Sequence, residues 1–219
     1  MTVPVKVCGN TRLEDARLAA EMGAHMLGFI FYAPSPRSVA PEKAAAIIRD
    51  LPPYVVTVGV FVNENLDRMN QIATECRLDR IQLHGNEPYE TIRALVRPAY
   101  RAFRLREQSD LTHVVGEPDS CVLLDTYDSG KPGGTGRTFD WTWARKAAEV
   151  KQVILAGGLG AHNVAEAVAA VRPSAVDVLS SLESSPGKKD SAKVEAFFRA
   201  LRSSERLSTL SMGKHASAS

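Results

Sequence analysis

A cysteine closes the short run Val5-Lys6-Val7-Cys8 and is followed at once by Gly9. The run reads as a strand, so the thiol stands where a strand gives way to a loop. Other chemically capable residues stand at similar places: Gln82 and His84 in QLHG, Asp125 after CVLL, and Arg37 between Pro36 and Ser38. One thiol and one carboxyl suit proton transfer at two separate points of a substrate. A free thiol titrates near about 8.5 and must be lowered to serve as a base at neutral pH. Each residue also has a plainer role open to it. Cys8 could fill space as a small buried hydrophobe. His84 could be a hydrogen-bonded core histidine, Asp125 a turn residue, and Arg37 a solvated charge.

The elements that would position these residues alternate along the chain. Strands are expected at Val3–Val7, His25–Phe31, Val55–Val62, Arg80–Leu83, Tyr100–Leu105, Cys121–Leu124, Gln152–Leu155 and Ala175–Val178. Helices are expected at Leu13–Met22, Pro41–Asp50, Asn63–Cys76, Pro88–Val96, Asp110–Gly116, Trp141–Ala148, Asn163–Val171 and Ser191–Arg202, with Asn63 as the cap of the third. VVTVGVFV is a continuous apolar run, the mark of a strand buried on both faces. Eight β–α units in about 200 residues predict a single-domain α/β protein, a (β/α)8 TIM barrel over residues 1–202. An open doubly wound sheet is the rival, weakened because no G-x-G-x-x-G follows the first strand. Residues 203–219, rich in Ser and Ala, are expected to form a frayed or flexible tail, with a short helical start left open.

Barrel active sites lie at the C-terminal ends of the strands, which is where the chemically capable residues fall. Barrels often hold phosphate with the loops after strands seven and eight and a short extra helix, using backbone N–H groups that small residues leave accessible. Here those loops carry Gly157-Gly158 and Ser180-Ser181, and Ser181–Ser185 has the length of the extra turn. A phosphorylated small-molecule substrate follows, and isomerisation of a sugar phosphate fits the thiol and carboxyl best.

Composition excludes several other classes. The 219 residues are 44% hydrophobic and 24% charged with a net charge of +2, which argues against nucleic-acid or membrane-surface binding by bulk charge. No apolar run reaches the ~20 residues of a membrane span. MTVPVKVCGN lacks the pattern of a signal peptide. Three scattered cysteines, Cys8, Cys76 and Cys121, have neither disulfide nor metal spacing, so no metal is expected and a reducing cytoplasm is the natural compartment. Cys76 and Cys121 lie away from the functional rim and read as structural.

Several stretches resemble the phosphoribosylanthranilate isomerase family: KVCG (Lys6–Gly9), GFIF…SPR (Gly28–Arg37), VGVFVN (Val58–Asn63) and QLHG (Gln82–Gly85). They continue in order with LLD (Leu123–Asp125), GGTG (Gly133–Gly136), DW (Asp140–Trp141), LAGGL (Leu155–Leu159) and ESSPGKKD (Glu183–Asp190). The resemblance implies an Amadori rearrangement of N-(5′-phosphoribosyl)anthranilate, a step of tryptophan biosynthesis. It makes Asp125 the general acid on the ribose ring oxygen and Cys8 the general base at C2′. It implies no cofactor. It also makes Arg37 a partner of the anthranilate carboxylate, Gln82 and His84 rim contacts, and the loop holding Gly134 a segment that orders around the ligand. Members occur as monomers or homodimers. Many read S-S-G-V-E where this chain has Leu179-Ser180-Ser181-Leu182-Glu183, so Ser181 replaces a glycine at the expected phosphate turn and adds a hydroxyl donor. Two rivals are another phosphosugar aldose–ketose isomerase barrel, such as the related isomerase of histidine biosynthesis, which uses two rim aspartates, and a silent barrel that only binds a phosphorylated ligand.

Overall fold

The computed structural model describes residues 3–105, 108–125 and 141–215, with residues 204–215 described as helical backbone only. Eight strands run in order around a closed barrel: β1 (Val5–Val7), β2 (Met26–Ile30), β3 (Val56–Phe61), β4 (Arg80–Leu83), β5 (Ala99–Arg104), β6 (Cys121–Asp125), β7 (Gln152–Ala156) and β8 (Ala175–Val178). All neighbours are parallel, and β8 returns to pair with β1. Closure removes the open-sheet alternative. The crossovers are α1 (Leu13–Met22), α2 (Pro41–Arg49), α3 (Leu66–Glu75), α4 (Tyr89–Ala94), α5 (Asp110–Gly116), α6 (Trp141–Ala148) and α7 (Val164–Val171), and α8 (Ser191–His215) closes the chain.

Strand alternation and register decide which side chains enter the barrel. Lys6 is level with Met26 and Asp177, Met26 with Val56, Val58 with Arg80, and Gln82 with Tyr100. Ala102 is level with Leu123, and Leu123 with Ile154. The inward set therefore contains Lys6 and Cys8 from β1, Gln82 and His84 from β4, Asp125 from β6, and Asp177 and Leu179 from β8. Its apolar members, Val58, Tyr100, Leu123, Ile154, Ala156 and Ala175, form one buried cluster. Cys8, Ile30 and Val60, with Leu179 packed on them, form a smaller cluster nearer the mouth. The alternate residues, among them Val5, Val7, Leu27, Phe29, Phe61, Leu83, Leu124, Leu155, Val176 and Val178, face the helices in the main core.

Three expectations are corrected. The cap of α3 is Asn65, whose side chain accepts the Asp67 N–H at 2.9 Å, and not Asn63. Asn63 has a left-handed backbone (φ 51°) and joins two loops, accepting the Asn86 N–H at 2.7 Å and donating its own N–H to Glu87 at 2.6 Å. The closing helix does not stop at Arg202 but continues to His215. The extra turn after β8 is a 3-10 turn over Ser180–Leu182 and not Ser181–Ser185. Glu183–Ser185 (β9) instead pairs antiparallel with Lys188–Lys189 (β10), because Pro186-Gly187 turns the chain back.

Candidate active site

Cys8 is anchored from three directions. Its N–H bonds the Val178 carbonyl at 2.9 Å. The fully buried Asn10 donates through its side chain to Val7 O (2.8 Å) and Gly28 O (3.1 Å), fixing the loop just beyond the thiol. The residue between them must be glycine. Gly9 has φ 72°, and a Cβ there would lie 3.2 Å from Arg37 Cδ and 3.4 Å from Leu179 Cγ. Across the β1–β2 pair the sulfur lies against Gly28. Burial pushes the Cys8 thiol up, Lys6 and Lys189 oppose that, and Asp177 adds to it.

Asp125 ends β6 on the inward face, with His84 Nε2 3.9 Å from its Oδ2. His84 Nδ1 lies 2.9 Å from Gln82 Nε2, and Gln82 Oε1 accepts from the Tyr100 hydroxyl at 3.1 Å. With Oε1 already accepting, the Gln82 amide donates to Nδ1, which places the imidazole proton on Nε2, facing Asp125. Burial holds His84 below the usual histidine range; Asp125 pulls against this and Lys6 adds to it. The ring is therefore neutral near pH 7. Gln82, expected at the rim, is 1% exposed and lies beneath His84.

Below the thiol, Lys6 Nζ bonds Asp177 Oδ2 at 2.8 Å. Lys6 is fully buried. Burial pulls its ammonium down, but Asp177, with Cys8 and Tyr100, reverses this and holds it above its ordinary value. Beside the thiol, Arg37 grips Glu183 through Nε (2.9 Å) and Nη2 (2.8 Å). Glu183 also faces Lys189 Nζ at 3.4 Å, and that ammonium donates to Cys8 O at 2.6 Å. The β9–β10 hairpin thus ties the ends of β1 and β8 to Arg37.

Loops seven and eight meet. Gly157 (φ 92°) and Gly158 (φ 62°) are left-handed, and the Ser181 hydroxyl bonds the Leu159 carbonyl. Gly157, Gly158, Ser180 and Ser181 thus lie on adjoining loops beside the mouth. Gly134 lies outside the described residues. Among the described residues no group of three His, Cys, Asp or Glu could hold a metal, and no helix is long and apolar enough to cross a membrane.

Lys6, Asp177, Tyr100 and Lys189 were not singled out from sequence. The signal for the first two was present: Lys6 precedes Cys8 by two residues and Asp177 precedes Leu179 by two, so each shares the inward face of its strand.

The fold and the mouth define a (β/α)8-barrel enzyme that presents a thiol and a carboxylate on the inward faces of its strand ends. The family model for N-(5′-phosphoribosyl)anthranilate isomerase matches residues 5–200. The isomerase of Pelobacter propionicus is 47% identical over 207 residues, covering 94% of this chain and 99% of the relative. That of Geobacter metallireducens is 50% identical over 197 residues, covering 90% and 98%. The crystal structure of the Thermotoga maritima enzyme superposes with a TM-score of 0.86 at 39% identity, covering 92% of this chain and 99% of that one. A phosphoribosyl anthranilate isomerase in complex with reduced 1-(o-carboxyphenylamino)-1-deoxyribulose 5-phosphate gives 0.83 at 37%, with the same coverage. The chain belongs to the N-(5′-phosphoribosyl)anthranilate isomerase family.

Proposed function

We propose that this chain converts N-(5′-phosphoribosyl)anthranilate to 1-(o-carboxyphenylamino)-1-deoxyribulose 5-phosphate, in the cytoplasm, as a step of tryptophan biosynthesis. The observation that carries the site assignment is the inward placement of Cys8 and Asp125 at the same end of one barrel. Asp125 acts as general acid, giving a proton to the ribose ring oxygen as the C1′–O bond breaks. The anilino nitrogen lone pair forms the protonated Schiff base. The Cys8 thiolate then takes the C2′ proton, and that bonding pair moves to C1′ while the iminium electrons return to nitrogen. The enolamine tautomerises to the ketone, so atoms and electrons balance within one substrate.

Arg37 meets the anthranilate carboxylate. Among the described residues its Nη1 makes no hydrogen bond, while Glu183 fixes the other edge of the guanidinium. Gly157, Gly158, Ser180 and Ser181 hold the phosphate through backbone N–H groups. His84 orients the Asp125 carboxyl, Gln82 holds His84, and the loop containing Gly134 closes over the ligand. The protein works as a monomer or homodimer.

The test is fluorescence-monitored turnover of freshly made substrate by wild type, Cys8→Ser and Asp125→Asn. Wild type should consume it, and each variant should lose roughly 10²-fold or more while keeping its fold. Full activity in either variant overturns that residue's role. An inactive, folded wild type overturns the reaction.

A further inference from the structure

The rearrangement makes no use of the ion pair inside the barrel, whose lysine is fully buried. Lys6 and Asp177 lie level on β1 and β8, one layer below the thiol, with Nζ and Oδ2 2.8 Å apart. The nearby interior is largely apolar, with Val58, Leu123, Ile154 and Ala175 packed together and the Tyr100 hydroxyl engaged by Gln82. Stability does not explain an ion pair there, since apolar replacement of a buried pair is often neutral or stabilising. Asp177 Oδ1 is buried with no hydrogen-bond partner among the described residues, a further cost. What the pair does have is position. Lys6 precedes Cys8 by two residues on the same inward face, so its ammonium rises beneath the sulfur.

We propose that the buried Lys6–Asp177 pair eases ionisation of Cys8 against the pull of burial: Lys6 is a positioning residue that supplies a fixed positive charge under the sulfur, and Asp177 keeps that charge in place. This rests on the reading of Cys8 as the base. Among the described residues, few charged and titratable groups surround the thiol. Lys6 comes from its own strand and Asp177 from β8, and Lys189 reaches the Cys8 carbonyl from the β9–β10 hairpin. Arg37 lies behind Gly9, neutralised by Glu183. His84, facing from β4, is neutral near pH 7; Tyr100, inward on β5, is held above its ordinary value by burial, and Asp125 faces from the end of β6. Burial disfavours the anion, Lys6 is the strongest influence opposing it, Lys189 adds to that, and Asp177 works the other way. Lys6 outweighs Asp177 at the sulfur, so removing the pair removes net stabilisation of the thiolate.

The experiment titrates thiolate absorbance at 240 nm in wild type, Lys6→Met and Lys6→Met/Asp177→Leu, each measured against the same protein carrying Cys8→Ser, beside pH profiles of kcat and kcat/KM. Both variants should move the Cys8 midpoint up by about one pH unit or more, the size of one adjacent charge. At neutral pH kcat should fall about tenfold or more and recover along the alkaline limb, with KM little changed. A purely structural pair moves neither midpoint nor limb. If Lys6→Met, which strands Asp177, does not fold, the double variant decides alone. An unshifted midpoint in a folded variant overturns the proposal. Wild-type turnover by Cys8→Ser overturns the base role itself, a result the midpoint cannot mimic.

Discussion

Gly28 gives the sharpest test of where the Cys8 sulfur stands. A Cβ built on Gly28 lies 2.6 Å from Cys8 Sγ and 3.2 Å from both Cys8 Cα and Cβ. Ordinary contact begins at 3.4 Å, so the sulfur is about 0.8 Å too close for any side chain at this position. Gly28 is in β2, and its φ is not in the left-handed region that favours glycine. Alanine is therefore compatible with the backbone dihedrals, and Cys8 stands in its way, mildly through Cα and Cβ and severely through the sulfur. Cys8 Cα is held by its N–H bond to Val178 O and by the Asn10 lock, so the strain passes to the sulfur, which must swing aside. A shift of about 1 Å at a reacting group costs on the order of 10²-fold. The added methyl in a packed interior destabilises by about 1–3 kcal/mol. Gly28→Ala should thus lower kcat about 30- to 100-fold, leave KM within about threefold, and remain folded at 25 °C. Stopped-flow or steady-state fluorescence turnover measures the first two, and urea unfolding the third. A folded Gly28→Ala with wild-type kcat would refute both the position of the sulfur and its part in the reaction.

Two further outcomes follow from buried groups. Glu183→Gln keeps the shape of the side chain but leaves the buried Lys189 ammonium and the Arg37 guanidinium without their counter-charge. Unfolding free energy should drop by about 3 kcal/mol in urea titration, and KM should rise as Arg37 loses its brace; unchanged values for both would remove the hairpin clamp from the account. The Cys76 thiol, pushed up by burial from 9.0 to about 11, donates to Pro41 O at 3.3 Å. The folded state holds that proton more tightly than the unfolded chain. Its contribution is complete below pH 9 and is lost as pH rises toward 11, by at most about 2–3 kcal/mol. Cys76→Ala should flatten the alkaline fall in stability over that window, and an identical slope in both proteins would contradict it.

The order and type of the eight barrel strands and eight helices were legible because several strands are apolar on both faces and the helices on one. In a parallel barrel those patterns differ sharply, as VVTVGVFV shows beside Leu66–Glu75. Misses fell where two local solutions compete. Asn63 and Asn65 are both good caps, and only the contacts of Asn63 with Asn86 and Glu87, in the loop after β4, decide that Asn65 starts the helix. Ser181–Ser185 could turn or extend, and pairing with Lys188–Lys189 extends it from Glu183. The Ser- and Ala-rich stretch beyond Arg202 reads as tail by composition, yet the helical backbone continues to His215.

The same logic explains why the rim was readable and the layer below it was not. Cys8, His84 and Asp125 reveal themselves by standing where strands end. Lys6, in VKV, looks like the polar residue of a strand with one wet face. A barrel strand has no wet face, because helices cover one side and the other strands cover the other. A charge on such a strand needs a partner, and only the barrel's closure says which strand supplies it. Once β8 returns to β1, Lys6 and Asp177 are level. A slip of two residues between these strands would keep every inward residue inward, so the hydrophobic pattern cannot forbid it. It would separate Lys6 from Asp177 and leave two uncompensated charges in the interior, at several kcal/mol each. The pair thus discriminates among registers that apolar alternation treats as equal, and the register it selects is the one that puts the ammonium under the Cys8 sulfur.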